Sequence, residues 1–390
     1  MTGTADRAPS NPRPGADQAA SALRPGADQA ASAPRPGTDR AASAPMPRPD
    51  PSVWKGPELG GPEEWRLDLS ETRLAEIDAA LQETRRRDLT LLRLTAADFP
   101  LPGLAADLAR LSAVLDQGRG FAVVRGIPVE RLGESAASTV FWGIGRHLGH
   151  PVPQNADGVV LGHVRDTGRS LGDPAVRGYQ TREALPFHTD PTDLLALMPL
   201  REPRSGGQVS LVSSAAVHDA VLELRPDLAG RLHRTYHFDR RDEHAPGEPP
   251  CTSAPLVTRP GGPAGAPGMR YNRCYLESAQ RFPEVPRLEP EDRELFDLID
   301  SVAASPDHRL DLDLRVGDLL LVNTHRVMHA RSAFEDHRPP EPGRHLLRLW
   351  LASPRGAGSQ DTPPWVTLRD VIRPRATAAP RATNSRRKPA

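Results

Sequence analysis

The sequence predicts a mainly β fold with a helical cover, a jelly-roll sandwich. Helical periodicity dominates the earlier part of the chain, whereas from His188 onward short apolar runs succeed one another. Gly206-Gly207, Gly317-Asp318 and similar turn signals bound several of these runs. Helices first and many short strands afterwards is the order expected when helices cover a sheet sandwich.

In chain order, the first element is a repeat. Units reading RPGADQAASAL, RPGADQAASAP and RPGTDRAASAP begin at Arg13, Arg24 and Arg35. An eleven-residue period suits a right-handed coiled coil. Here each unit opens with Pro-Gly and has no large apolar residue to bury, so residues 1 to about 60 are expected to form a disordered leader. The folded domain is then expected over about 61–370, long enough for one substantial core. Arg373, Arg375, Arg381, Arg386, Arg387 and Lys388 mark 371–390 as a disordered basic tail.

Within the domain, Leu74, Ile77 and Leu81 follow helical spacing behind Ser70, a good N-cap. A strand is expected at 121–124, closed by Arg125-Gly126, and a helix at 135–148 with Val140, Ile144 and either His147 or Leu148 on one side. Further strands are expected at 209–212, 256–258, 269–271, 310–314, 319–322 and 346–351. One helix interrupts them after Pro290, carrying Leu295, Leu298, Ile299 and Val302.

Composition excludes several classes of function. Fifty basic residues balance fifty acidic ones, and 37% of the chain is hydrophobic. There is no charge excess for blanket phosphate neutralisation, so no nucleic-acid partner is expected. No apolar run is long enough for a secretory signal or a membrane span. Two cysteines, Cys251 and Cys274, make no disulfide framework, and a reducing cytoplasm is expected. Only Lys55 and Lys388 among the basic residues are lysine, so no arginine is informative by type alone.

The chain carries no P-loop, HExxH, GxSxG elbow or dinucleotide fingerprint. The remaining lead is His-x-Asp, because residues i and i+2 of a strand share a face and can reach one metal ion. With a third histidine, such a pair forms the two-His, one-carboxylate face of non-haem Fe(II) oxygenases. Two copies exist, His188-Thr189-Asp190 and His237-Phe238-Asp239. The second is expected to be a metal-free strand or loop histidine. Downstream, GDLLLVNTHRVMHAR displays His325 and His329, and RHLLRLWL aligns Arg344, Leu346 and Arg348 on one strand face. An arginine in an apolar strand needs an anion: a carboxylate co-substrate or an internal salt bridge.

These pieces resemble the taurine and 2,4-D dioxygenase-like Fe(II)/2-oxoglutarate oxygenases, including the clavaminate-synthase-like branch. The resemblance runs over roughly 120–353 through RGFAVVRGIP, GYQTREALPFHTDPTD, SGGQVSLVSSAAVHDAV, MRYNRCYLESAQRF, GDLLLVNTHRVMHARSAF and RHLLRLWL. It implies a double-stranded β-helix core. It makes His188 and Asp190 the proximal iron ligands, His329 in its His-x-Arg context the distal one, and His325 a variable position. Arg344 would bind the distal carboxylate of 2-oxoglutarate, and Arg348 would face the substrate or support the co-substrate. Where the family often has threonine after the Gly pair, this chain has Val209 with Ser210 beside it, so Ser210 is the candidate for that co-substrate contact.

The resemblance implies O2-dependent hydroxylation or desaturation of an unactivated C–H bond. The expected substrate is a small, carboxylate-bearing metabolite, an amino acid or secondary-metabolite intermediate, free or carrier-bound. Asp190 fills the position that halogenating relatives leave for chloride. The competing readings are a non-catalytic binding module on the same fold and a Zn(II) hydrolase. Gln154, Asn155, Tyr179 and Gln180 stand between pocket lining and turn formation, as do Asn272 and Arg273 at the site border. Trp142 and Trp350 are expected in the core, Cys274 as a buried small residue, and 240–268 as a long loop over the site.

Overall fold

The computed structural model describes residues 50–258, 266–338 and 341–353. The repeats and the basic tail lie outside the described residues. The described residues begin at 50, inside the segment expected as leader. Trp54 is buried, its ring centroid 5.3 Å from that of Phe121, and its Nε1 donates to the Arg119 carbonyl at 2.8 Å. One large aromatic side chain suffices to tie down a Pro-rich segment.

Two sheets face each other. The larger runs Arg66–Asp68, Phe121–Arg125, Leu319–Asn323, Leu194–Arg201, His345–Ala352 and His150–Pro151, with Leu161–Val164 also paired to His345–Ala352. The smaller runs Leu310–Leu312, Val209–Ser213, Val327–Arg331 and Leu185–His188. This is the double-stranded β-helix sandwich, with helices on its outer faces.

Local chemistry explains the helices. Ser70 Oγ accepts from the Arg73 N–H at 3.4 Å to open Glu71–Arg86, which buries Ile77, Ala80, Leu81 and Thr84. The second expected helix begins earlier, as Val129–Leu148, and is kinked where Gly133 adopts φ 72°. Pro290 starts Pro290–Ala304, where Glu289 and Asp292 form a reciprocal cap and Leu295, Phe296, Ile299 and Val302 are buried.

Leu194–Arg201 is a strand that periodicity misses. It reads LLALMPLR, with no alternation, because both its faces are covered. Ala196 and Met198 pack with the helical residues Ile77, Leu108 and Ile144, while Leu195 and Leu197 meet Val209 and Leu211 of the smaller sheet. The described part of 240–268 is also more structured than expected. Within it, Cys251–Pro255 pairs with Thr235–Asp239, and Val257–Thr258 pairs with Gly268–Met269.

His345–Ala352 sets up the site by simple alternation. Leu347, Leu349 and Leu351 point to the helices, whereas Leu346 and Trp350 join the core between the sheets. Arg344 and Arg348 share that inner face and line a cavity there. Among the described residues no helix is long and apolar enough to cross a membrane.

Candidate active site

Strand pairing brings the two histidines together across 140 residues of sequence. His329 is the register partner of His188 in the smaller sheet, and their ring centroids lie 4.3 Å apart. Asp190 follows just past the strand end, and one donor atom from each of the three lies within 4.8 Å of the others. His188 Nδ1 meets the Pro186 carbonyl at 2.8 Å, which fixes the proton there and leaves Nε2 as the free donor. His329 Nδ1 is buried without a hydrogen-bond partner. Asp190 Oδ2 accepts from Trp350 Nε1 at 2.9 Å and lies 3.6 Å from Arg348 Nη1.

The electrostatics favour ligands in their metal-binding forms. Burial pushes His329 down to about 3, helped by His188 and Arg348 and opposed by Asp190. Burial also lowers His188. For Asp190 burial acts upward, but Arg348, the two imidazoles and the Trp350 hydrogen bond outweigh it and hold the carboxyl below its ordinary value. Two neutral imidazoles and one carboxylate, with a buried ring nitrogen lacking a partner, fit a ferrous ion with open positions.

Among the described residues no carboxylate is in ion-pair contact with the Arg344 guanidinium; Asp336 accepts from the Arg344 backbone N–H at 2.6 Å. Arg344 is 4% exposed, its Nη1 has no partner, and its one side-chain hydrogen bond runs to the Gly207 carbonyl at 3.4 Å. Burial pushes it down to about 9, with Arg331 adding to the effect and Asp336 opposing it. Gly207, at φ 74°, makes this seat possible, since a Cβ there would lie 2.9 Å from Arg344 Nε. Arg348 is held more firmly. Its Nε donates to Gln154 Oε1 at 2.6 Å, and its guanidinium lies between the rings of Tyr179 and Trp350 at 4.7 and 5.0 Å.

Other expectations are sorted by the same geometry. Ser210 is corrected: its Oγ bonds Asp311 Oδ1 at 2.5 Å, while its strand neighbour Val209 lines the cavity. Alternation turns Ser210 away from Arg344. His325 is engaged with Asp193 at 3.1 Å. His237 meets Ser253 at 2.9 Å, and its companion Asp239 is paired with Arg281. Gln154 clamps Arg348 and Tyr179 lines the cavity, whereas Asn155 and Gln180 stabilise turns. Asn272 lines the cavity and caps Arg273–Ser278, and Arg273 is paired with Asp297 and Asp300. Trp142 is core. Trp350 is core as expected and also donates to Asp190, whereas Cys274 is exposed rather than buried, a correction to its expected role.

Three cavity arginines, Arg177, Arg270 and Arg331, had no role assigned from sequence, and Arg177 is paired with Glu243. Arg331 follows His329 by two residues, so the same-face rule marks it; its Nη2 donates to the carbonyls of Thr181 and Glu183. Arg270 carried no signal in a chain so rich in arginine. It lines the cavity beside Tyr271.

A metal-ready triad and an unpaired arginine between the two sheets of a double-stranded β-helix define the Fe(II)- and 2-oxoglutarate-dependent oxygenases, and the chain is an enzyme of that class. Residues 85–350 match the taurine catabolism dioxygenase TauD, TfdA family, and the chain belongs to it. It is 31% identical over 303 residues to FR-33289 synthase of Streptomyces rubellomurinus (strain ATCC 31215), covering 77% of this chain and 88% of that one. It is 29% identical over 308 residues to the taurine hydroxylase-like protein SAT17 of Stachybotrys chartarum (strain CBS 109288 / IBT 7711), covering 77% and 78%. Two solved structures share the fold. Asparagine oxygenase in complex with Fe(II), 2S,3S-3-hydroxyasparagine and succinate aligns at TM-score 0.53 and 16% identity, over 74% of this chain and 93% of that one. The non-heme iron oxygenase OrfP in complex with Fe, succinate and (3S)-hydroxy-L-Arg aligns at 0.53 and 18%, over 76% and 98%.

Proposed function

We propose that the chain hydroxylates an unactivated C–H bond of a small, carboxylate-bearing metabolite of amino-acid type, with His188, Asp190 and His329 holding ferrous iron. Arg344 binds the distal carboxylate of 2-oxoglutarate. The observation that carries this reading is Arg344 itself, a buried guanidinium with an unpartnered Nη1 and, among the described residues, no carboxylate in ion-pair contact, in the same cavity as the three donors. The amino-acid products bound by the two structural neighbours and the synthase and hydroxylase names of the relatives support the substrate class.

Iron with 2-oxoglutarate and O2 supplies the oxidising power that breaks the C–H bond. The chain's own residues bind, orient and exclude water. Pro186 fixes the His188 tautomer, and Trp350 and Arg348 orient the Asp190 carboxylate. Arg344 grips an anion through charge-assisted hydrogen bonds, and a buried guanidinium with an unpartnered Nη1 has strong cause to do so. Leu197, Val209, Leu346 and Phe187 form apolar walls that keep water out. Arg348, immobilised by Gln154, is positioned to meet a substrate carboxylate.

Reconstitution with Fe(II), 2-oxoglutarate and ascorbate, followed by succinate release across an amino-acid and natural-product panel, tests the proposal. Metal analysis of anaerobically purified protein separates it from zinc hydrolysis: activity confined to the zinc form would overturn it. Absence of succinate with every substrate would favour a binding module.

A further inference from the structure

We infer that Arg270 anchors a second anionic group of the substrate, so that the site selects an oxyanion-bearing molecule rather than a neutral or cationic amino acid. The inference rests on the iron and 2-oxoglutarate reading and adds the charge of the substrate's far end.

Arg270 sits close to the proposed iron ligands. The segment bearing it is hydrogen-bonded to the residue between His188 and Asp190: Thr189 N donates to the Tyr271 carbonyl at 2.8 Å, and Tyr271 N donates to Thr189 Oγ1 at 3.0 Å. The guanidinium stacks on Phe238 at 4.3 Å from its centroid, and Nη2 donates to Thr252 Oγ1 at 3.0 Å. Those contacts fix its position without neutralising it. Arg270 has no acidic partner among the described residues, and burial pushes it down to about 9. A desolvated cation held in place by a ring and a hydroxyl is a site that lacks its anion.

The charge balance of the cavity gives the same answer. Arg177 is paired with Glu243, and Arg273 with Asp297 and Asp300. The two negative charges of 2-oxoglutarate offset the two positive charges of the iron, and Asp190 offsets its neighbour Arg348. Asp336 acts on Arg344 and Asp166 on Arg331, which leaves Arg270, among the described residues, as the excess positive charge of the cavity wall on which no acid acts. A neutral or zwitterionic substrate leaves this excess standing, and a cationic side chain adds to it. An oxyanion at Arg270 relieves it.

The test uses the full chain loaded with Mn(II) and 2-oxoglutarate, which occupies Arg344, and titrates inorganic phosphate and acetate by calorimetry. Binding of either probe is expected, with phosphate favoured if the natural group is tetrahedral and acetate if it is planar. Arg270→Gln is expected to weaken probe binding by at least about tenfold, the scale for truncating one partner of a desolvated charge pair. Arg270→Lys, which keeps the charge, is expected to recover most of it. Mn(II) and 2-oxoglutarate affinities of both variants should stay within about twofold of the parent chain, which also reports that they fold. Unchanged probe affinity in Arg270→Gln, or no uptake of either probe by the parent chain, overturns the inference. If Mn(II) and 2-oxoglutarate themselves fail to bind, the oxygenase site assignment falls instead, and the phosphate titration alone decides for or against Arg270.

Discussion

Among the described residues there are two clusters of two imidazoles and one carboxylate, each with donor atoms within 4.8 Å of one another. One is His188, Asp190 and His329 between the sheets. The other is Glu134, His163 and His345, at the outer side of the His345–Ala352 strand. In the second cluster the nitrogen lone pairs are already spent. Arg201 Nη2 donates to His345 Nδ1 at 2.9 Å, and because guanidinium can only donate, the His345 proton sits on Nε2 and points at His163 Nδ1, 2.8 Å away. Arg201 Nη1 also holds Glu134 Oε2 at 3.2 Å. A cation stands where a metal would have to go. In the first cluster His188 keeps Nε2 free, His329 Nδ1 has no partner, and the neighbouring arginine contacts only the carboxylate. Donor type and proximity alone do not build a metal centre; unspent lone pairs and the absence of a competing cation do.

The largest expected effect comes from breaking the first cluster. His188→Ala or Asp190→Ala should abolish iron retention and succinate release, since even outer partners of a metal ligand carry about 10–100-fold. His163→Ala and His237→Ala should leave metal content at one ion per chain and turnover within about twofold. Equal losses from all four would erase the distinction between the clusters.

Next comes the anion beside the first cluster. Arg344→Gln is expected to raise the 2-oxoglutarate KM by about 30-fold or more, the cost of removing one side of a buried charge pair. A smaller effect is expected from turning the second cluster into a copy of the first. Arg201→Ala frees His345 Nδ1 and Glu134, so zinc titration should show a weak second site that the parent chain lacks. No added uptake would mean that geometry, rather than Arg201, keeps metal out.

The smallest effect is a pH dependence. Burial pushes His345 down to about 4 from its ordinary 6.5. Between those values the unfolded chain binds a proton that the folded chain refuses, so stability is full above about 6.5 and falls as pH drops toward 4. His345→Gln should flatten that part of the melting-temperature profile.

Much of the fold was legible because its elements announce themselves locally. Ser70 ahead of Leu74, Ile77 and Leu81, and Pro290 ahead of Leu295 and Ile299, mark helix starts and buried faces that depend on a few neighbouring residues. Leu194–Arg201 escaped because a strand covered on both sides has no alternation to read. Trp54 escaped because its partner, Phe121, lies far along the chain. Ser210 was chosen over Val209 for its chemistry, and the register of the smaller sheet turned that hydroxyl toward Asp311 instead.

The order of residues by itself determined the class of fold, the His-x-Asp pair with its distant histidine, and the two arginines on one strand face. These follow from backbone period and side-chain type, which are properties of short segments. Only the tertiary structure decided which charges are answered. Arg348 finds Gln154 from 194 residues away, Arg201 closes the outer cluster, Arg344 keeps an unpartnered Nη1, and Arg270 is left without an acid among the described residues. Whether a charge is compensated depends on which remote segments the packed sheets bring within a few ångströms, and no local pattern encodes that.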